Sequence, residues 1–225
     1  MMKDDLCIIV PAYNEEKTIR NVLLAIKKII PEKNIIVGND GSKDRTAEIS
    51  RSENIILIDE KRNHGKGWIT RKACDYAIRK GYKKIILMDA DGQHFASDIP
   101  KFIKELESKD IVFSYRVGEK QPFIFKIGNK GLNIISKILF GINIKDTQSG
   151  FRGFTKEAYE RIRWKSDDYA MESEMIARSK GLIYSEIPIK KIYNKEHKGD
   201  DKGTTVWTGL RIAWQMMKWR LKGVK

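Results

Sequence analysis

The chain of 225 residues carries 44 Lys and Arg against 30 Asp and Glu, a formal net charge of +14, with 41% hydrophobic residues and two cysteines, Cys7 and Cys74. That apolar content suits one α/β core, two cysteines support no disulfide framework, and no run reaches the ~18 apolar residues needed to cross a bilayer. A disulfide-stapled secreted domain and an integral membrane protein are therefore not expected; a reduced, cytosolic setting and an anionic partner are.

The N-terminal MMKDDLCIIVP lacks the basic region and long apolar stretch of a signal peptide. Apolar LCIIV (6–10) then opens a regular alternation. A helical EEKTIRNVLLAIKKII (15–30) stops at Pro31, followed by strand NIIVG (34–38), helix SKDRTAEISRS (42–52) and strand NIILID (54–59). Helix GWITRKACDYAIRKG (67–81), strand KKIILM (83–88), a short helix from a Ser97 cap and strand DIVFSY (110–115) complete it. Five strands alternating with helices predict a mostly parallel, right-handed sheet that binds ligands beyond the carboxyl ends of its strands. Each polar cluster follows a strand: PAYNEE, NDGSKDRT, KRNHGKG, DADGQH and the YR after the fifth. These clusters should converge on one edge.

Beyond them come an apolar, lysine-dotted FIFKIGNKGLNIISKILFG (123–141), DTQSGFRGF (146–154), a helix near 170–180, the alternating LIYSEIPIKKIY and a polar NKEHKGDDKGTT. A tryptophan-rich helix ends the chain. Residues 1–203 read as one domain, with 204–225 a terminal amphipathic helix.

In KKIILMDADGQH, Asp89 and Asp91 are separated by one residue, and the period of two in an extended chain aims both carboxylates the same way. They repel unless a cation lies between them; the alternative is a polar turn at Asp91-Gly92. No G-x-G-x-x-G follows the first strand and no P-loop occurs. Instead Asn14, Glu15, Asn39, Asp40, Asp44, Asp89, Asp91 and Gln93 offer hard oxygen ligands suited to Mg²⁺ or Mn²⁺, with a nucleotide diphosphate completing the site. Asn14 reads equally as a helix cap, and Ser42 as one. His64, His94 and His197 are too scattered for zinc. Glu172 and Glu174 read either as a solvated helix face or as facing the site.

The ordered set PAYNEE, NDGSKDRT, GKG, DADGQH, SGFRGF and EIPI resembles glycosyltransferase family 2, over residues 6 to about 205. DADGQH, DTQSGFR and EIPI are most similar to dolichyl- or polyprenyl-phosphate mannosyl- and glucosyltransferases. The resemblance implies a GT-A fold: an α/β, Rossmann-like, mostly parallel sheet with helices on both faces and a C-terminal amphipathic helix. It also implies inverting, metal-dependent transfer of a hexose from a nucleotide-diphospho-sugar, GDP-mannose or a UDP-sugar, to dolichyl or polyprenyl phosphate. By the same resemblance Pro11, Ala12, Tyr13, Asn14, Glu15, Asn39, Asp40, Lys66, Ala90 and Gln93 bind the nucleotide-sugar. Asp89, Asp91 and Gln93 hold Mg²⁺ or Mn²⁺; Arg116, Arg152 and Lys202 meet phosphate; Asp89, Asp91, Arg116 and Glu174 are the catalytic set. Asn39 stands where the family has the first Asp of Asp-Asp-Gly-Ser, and Asp201 where it commonly has Ser. Asn both donates and accepts, whereas Asp only accepts.

A phosphate acceptor is already largely dianionic at neutral pH, with a second pKa of about 6, and needs cations, not a base. Arg116, Arg152, Lys126, Lys130 and Lys137 suit that need. A hydroxyl acceptor would require a base, for which Glu172 and Glu174 are candidates. A basic nucleic-acid-binding module is a third reading, against which stands the lack of any nucleic-acid motif. At ~100° per residue, residues 204–222 place Trp207, Leu210, Trp214, Met217 and Leu221 on one stripe, with Arg211, Gln215, Lys218 and Lys222 beside it. A smaller arc holds Ile212, Met216 and Trp219. One arc is expected on the protein and the other in the headgroups of an anionic, cytoplasmic membrane face; a helix docked wholly on its own domain is the alternative.

Overall fold

The computed structural model describes residues 5–117, 123–190 and 206–222, with side chains over 5–117, 131–190 and 211–221. Central β1 (Leu6–Ala12) is buried along its whole length. It pairs in parallel with β2 (Ile35–Asn39) on one side and β4 (Lys84–Leu87) on the other, while β3 (Ile56–Asp59) lies outside β2. Continuous apolar strands are what a sheet covered on both faces requires.

Alternate β1 residues feed two cores. Leu6, Ile8 and Val10 pack with Ile19, Leu23 and Ile26 of α1 (Ile19–Lys27), Ile49 of α2 (Thr46–Ser52) and Phe102 of α4 (Ile99–Glu105). Cys7 and Ile9 pack on the other face with Ala73, Cys74 and Ala77 of α3 (Lys66–Arg79), and with α6 (Lys156–Ile162) and α7 (Met171–Arg178). Both cysteines are buried thiols, and burial raises the pKa of each.

Two strands lie beyond the five expected. The seven-stranded order is β3-β2-β1-β4-β6-β5-β7, with β5 at Ile111–Val117, β6 at Arg152–Thr155 and β7 at Tyr184–Lys190. Strand β6 is antiparallel to both neighbours and separates β4 from β5. Gly153 permits this, since a Cβ there would stand 3.0 Å from Leu106 and 3.2 Å from Phe102. Because β6 runs backwards, its start reaches the carboxyl edge of β4, with Arg152 opposite Leu87.

Helices α5 (Phe123–Phe140) and α8 (Val206–Lys222) pack together and on α7, where Leu132, Ala170, Ile212 and Met216 form a third small core. On α8 it is the smaller arc that is buried: Ile212 and Met216 have no exposure, whereas Trp214 is 54% and Leu221 85% exposed. Met217 is exposed with them, as are Ile134 and Ile138 of α5. Lys218 Nζ lies 3.2 Å from the Trp214 ring centroid. Among the described residues no helix is long and apolar enough to cross a membrane.

Candidate active site

At the β1–β3 end the strand-end loops bind one another. The Asp40 carboxylate accepts from the backbone N–H of His64 at 2.9 Å and of Gly65 at 2.8 Å, and the Asp40 N–H donates to the Ala12 carbonyl. Asn39 donates from Nδ2 to Asp59 Oδ1 at 2.7 Å and accepts from Ser42 Oγ at 2.5 Å. The departure from the family pattern thus has a local cause: a carboxylate at 39 would face that of Asp59, and only an amide can donate there.

Asn14 does not cap α1. It sits at φ 56°, accepts from the Lys43 N–H at 2.8 Å and donates its own N–H to Ser42 Oγ at 2.9 Å. Positive φ suits Asn better than most residues. Ser42 joins the loops and caps no helix, since α2 starts only at Thr46. The Glu15 N–H donates to Thr46 Oγ1, and Thr18 Oγ1 to the Glu15 carboxylate, so α1 begins at Ile19, later than its sequence pattern suggests. Pro11 and Ala12 close β1 beside Gly38 and Asn39, and Tyr13 follows half-buried. Between the end of β3 and the first turns of α3 lies a recess of about 580 Å³, walled by His64 and Trp68 stacked 4.1 Å apart.

The second cluster centres on Asp89. Lys66, the first residue of α3, places Nζ 2.7 Å from Asp89 Oδ1 and 3.1 Å from Glu172 Oε1. Burial works to lower the Lys66 pKa, but the two carboxylates outweigh it and hold the ammonium charged, above its ordinary value. Gly150 is required here: a Cβ on it would stand 2.6 Å from Asp89 Oδ2 and 3.0 Å from Lys66 Nζ. Tyr169 lies with its ring centroid 5.7 Å from that ammonium; burial pushes its hydroxyl pKa up. Buried His94 sits with Nδ1 4.0 Å from Asp89 Oδ2.

Asp91 is half-buried beyond it and accepts from the Gln93 N–H at 2.9 Å; Ala90 is buried between the two aspartates. Among the described residues no three His, Cys, Asp or Glu side chains converge as a metal-holding group. Two strand-end carboxylates and the Gln93 amide do fit Mg²⁺ or Mn²⁺ in chemistry, since these ions keep waters and take substrate phosphates in place of a full protein cage.

Glu174, Arg152 and Arg116 are each engaged within the protein. Glu174 accepts from the backbone N–H of Lys165 and Ser166, from Ser166 Oγ at 2.6 Å and from Arg178 Nε at 2.8 Å. With its oxygens so occupied it is the anchor of the 163–169 loop. That loop in turn grips α3: Trp164 Nε1 donates to the Gly67 carbonyl, the Trp68 N–H to Asp167, and a Cβ at Gly65 or Gly67 would strike the carbonyls of Asp167 and Ser166. Glu174 therefore acts through the loop that sets Lys66.

Arg152 is buried and donates to the carbonyls of Ser149, Glu172 and Thr147 at 2.7–2.8 Å. Burial pushes its guanidinium down to about 10, against the opposing pull of Glu172, Asp146 and Asp89. Its fork holds backbone together and is not presented to a ligand. Arg116 is bidentate on Asp146, at 2.5 and 2.9 Å. A phosphate at Arg116 would have to displace that carboxylate. Lys202 lies outside the described residues, as do the side chains of Lys126 and Lys130.

Of the two glutamates open to either reading, Glu172 is the one that reaches the Asp89–Lys66 cluster. Its Oε1 meets Lys66, and its buried Oε2 has no hydrogen-bond partner among the described residues. Gly150 and Tyr169 were absent from the sequence-based site. SGFRGF marked the segment of Gly150, but nothing local to Tyr169 signalled it.

This sheet order, with polar loops and an aspartate pair on one edge, is the GT-A fold. Glucosyl-3-phosphoglycerate synthase from Mycobacterium tuberculosis, solved with uridine diphosphate, superposes with a TM-score of 0.74 at 16% identity, over 95% of this chain and 80% of that one. Residues 7–163 match Glycosyl transferase family 2, and the chain belongs to that family. An uncharacterised protein of Methanocaldococcus jannaschii is 38% identical over 226 residues, covering 96% of this chain and 92% of its own. The UDP-N-acetylglucosamine–dolichyl-phosphate N-acetylglucosaminyltransferase of Methanococcus voltae is 33% identical over 93% of this chain and 94% of its own.

Proposed function

We propose that the protein moves a hexose, with inversion, from a nucleotide-diphospho-sugar to a dolichyl-type polyprenyl phosphate at an anionic membrane surface on the cytoplasmic side. The observation that carries this is the Asp89–Lys66–Glu172 cluster beside Asp91 at the carboxyl edge of β4, in a chain matched over nearly its full length by a dolichyl-phosphate transferase.

In this reading an acceptor phosphate oxygen attacks the anomeric carbon as the bond to the leaving diphosphate oxygen breaks. The acceptor is already ionised, so no proton need be removed. Asp89, Asp91 and Gln93 would hold Mg²⁺ or Mn²⁺, which stabilises negative charge growing on the leaving group. Cations of this chain neutralise the remaining phosphate charge: Lys66 that of the donor diphosphate and, once released from Asp146, Arg116 that of the acceptor. The β1–β3 loops hold the nucleoside. The exposed arc of α8, Trp214, Met217 and Leu221 with Lys218, supports attachment to headgroups, where tryptophan and lysine are favoured. Helix α8 is an appendage of the GT-A domain, packed on α5 and α7.

Labelled GDP-mannose, UDP-glucose and UDP-N-acetylglucosamine, each offered with a short-chain prenyl phosphate, test the reading. Solvent-extractable label should form from one donor, stop with EDTA and return with Mg²⁺ or Mn²⁺. Transfer only to sugar hydroxyls would overturn it and favour a second reading, supported by the unpartnered Glu172 Oε2, in which Glu172 is the base. Co-sedimentation with anionic vesicles, lost in Trp214→Glu/Leu221→Glu, tests the membrane part. Equal binding by parent and variant would refute it.

A further inference from the structure

Lys66 holds two carboxylates on one ammonium, and the geometry points to a built-in counter-ion: we propose that Lys66 competes with the divalent cation for Asp89, so that metal binding requires the Asp89–Lys66 bond to give way. The inference rests on the metal-assisted transferase reading above.

The ammonium's position is fixed from several sides. Lys66 starts α3, whose Gly65 and Gly67 press against the backbone of residues 166–168 with no room for a Cβ. Gly150 crosses over the Asp89–Lys66 contact where a Cβ would clash with both partners. Thr70 Oγ1 donates to the Lys66 carbonyl at 2.6 Å, and the Tyr169 ring lies beside Nζ. Glu172 is buried, and Lys66 is its ion-pair partner in this structure. Without that ammonium, Asp89 and Glu172 would be two like charges around one spot in a poorly solvated site, which costs heavily unless a cation replaces it.

A divalent ion takes carboxylate oxygens at about 2.0–2.1 Å. An ammonium already 2.7 Å from Asp89 Oδ1 would then sit within a few ångströms of the metal, and two cations at that range repel. Either Lys66 leaves Asp89 or the metal binds weakly. A donor diphosphate resolves the conflict by giving the displaced ammonium a new anion. Metal and donor would therefore bind with positive coupling, Lys66 being the device that links them.

The test is direct Mn²⁺ binding to the full-length protein without nucleotide, read from the free-ion EPR signal. Lys66→Met should bind Mn²⁺ about tenfold or more tighter than the parent, as expected when a like charge is removed from contact range. Lys66→Arg, which keeps the charge, should bind as the parent does. Unchanged or weaker affinity in a folded Lys66→Met overturns the proposal. If Lys66→Met does not fold, Glu172→Gln serves: it leaves Lys66 wholly to Asp89 and should weaken Mn²⁺ binding several-fold, and unaltered affinity overturns the idea. A parent that binds Mn²⁺ with nucleoside diphosphate, yet shows no difference from Lys66→Met without it, refutes the counter-ion alone. No Mn²⁺ binding by any form, with or without nucleoside diphosphate, refutes the metal reading as well.

Discussion

At the β1–β3 end of the sheet, exposed Asn14 and buried Asn39 and Asp40 spend their side chains on the neighbouring strand-end loops, whereas beyond β5 buried Arg152, Glu172 and Glu174 tie together segments distant in the chain. In the first half, loop conformation is set by side chain-to-backbone bonds between adjacent turns, each worth about 1 kcal/mol net. In the second, buried guanidinium and carboxylate groups bridge distant segments, and removing one partner of a buried ion is strongly destabilising. The β1–β3 loops should therefore lose about one bond's worth of stability at a single change, while the β6–α7 side should fail by unfolding or by losing the Lys66 geometry.

The sharpest test separates chemistry from that scaffolding. Asp91→Ala should cut turnover by roughly a thousandfold or more, about 4 kcal/mol of transition-state stabilisation, with the melting temperature within ~2 °C of the parent. The residue is half-buried and its described hydrogen bond is to the Gln93 N–H, so the fold asks little of it. Near-normal, metal-stimulated turnover in this variant would remove the aspartate pair from the mechanism.

Arg152→Met is the counterpart. Three carbonyls lose a charged donor, and about 3–5 kcal/mol of stability should go with them in urea unfolding. If instead the variant is stable and only the acceptor KM rises, Arg152 is a phosphate ligand after all.

Glu172→Gln and Glu174→Gln, compared side by side, sharpen the contrast within one helix. The first should lower kcat by roughly a hundredfold with a modest stability change, since it contacts Lys66 at the centre. The second should lose about 2–4 kcal/mol of stability, because an amide cannot accept from all of Lys165, Ser166 and Arg178. Equivalent behaviour of the two variants would erase the distinction.

The smallest effect belongs to the β1–β3 loops. Asn39→Asp places a carboxylate against Asp59 and should cost about 1 kcal/mol, partly relieved by the nearby Arg51–Asp59 ion pair. Asn39→Asp/Asp59→Asn should recover most of that loss in a double-mutant cycle. Additive losses would mean that the two side chains do not communicate.

Residues 6–117 were legible because buried parallel strands and amphipathic helices write their periods directly into the chain, and because polar clusters can follow such strands only at one edge. The two-arc pattern of α8 is legible in the same way, but the common direction expected of Asp89 and Asp91 is not a strand property: β4 ends at Leu87, and Ala90 and Asp91 lie in a turn in which Asp91 accepts from the Gln93 N–H. Tertiary structure decided the rest. SGFRGF contains no run long enough to read as a strand, and only the gap between β4 and β5, with Gly153 against α4, makes β6 and turns Arg152 inward. In MESEMI the two glutamates are two residues apart, on opposite sides of a helix at ~100° per residue. Helix α7 is buried from Met171 to Ala177, so both carboxylates had to be paired within the protein. Which one met Lys66 depended on how α7 lies against the first turn of α3, a contact between segments about a hundred residues apart that no local pattern encodes.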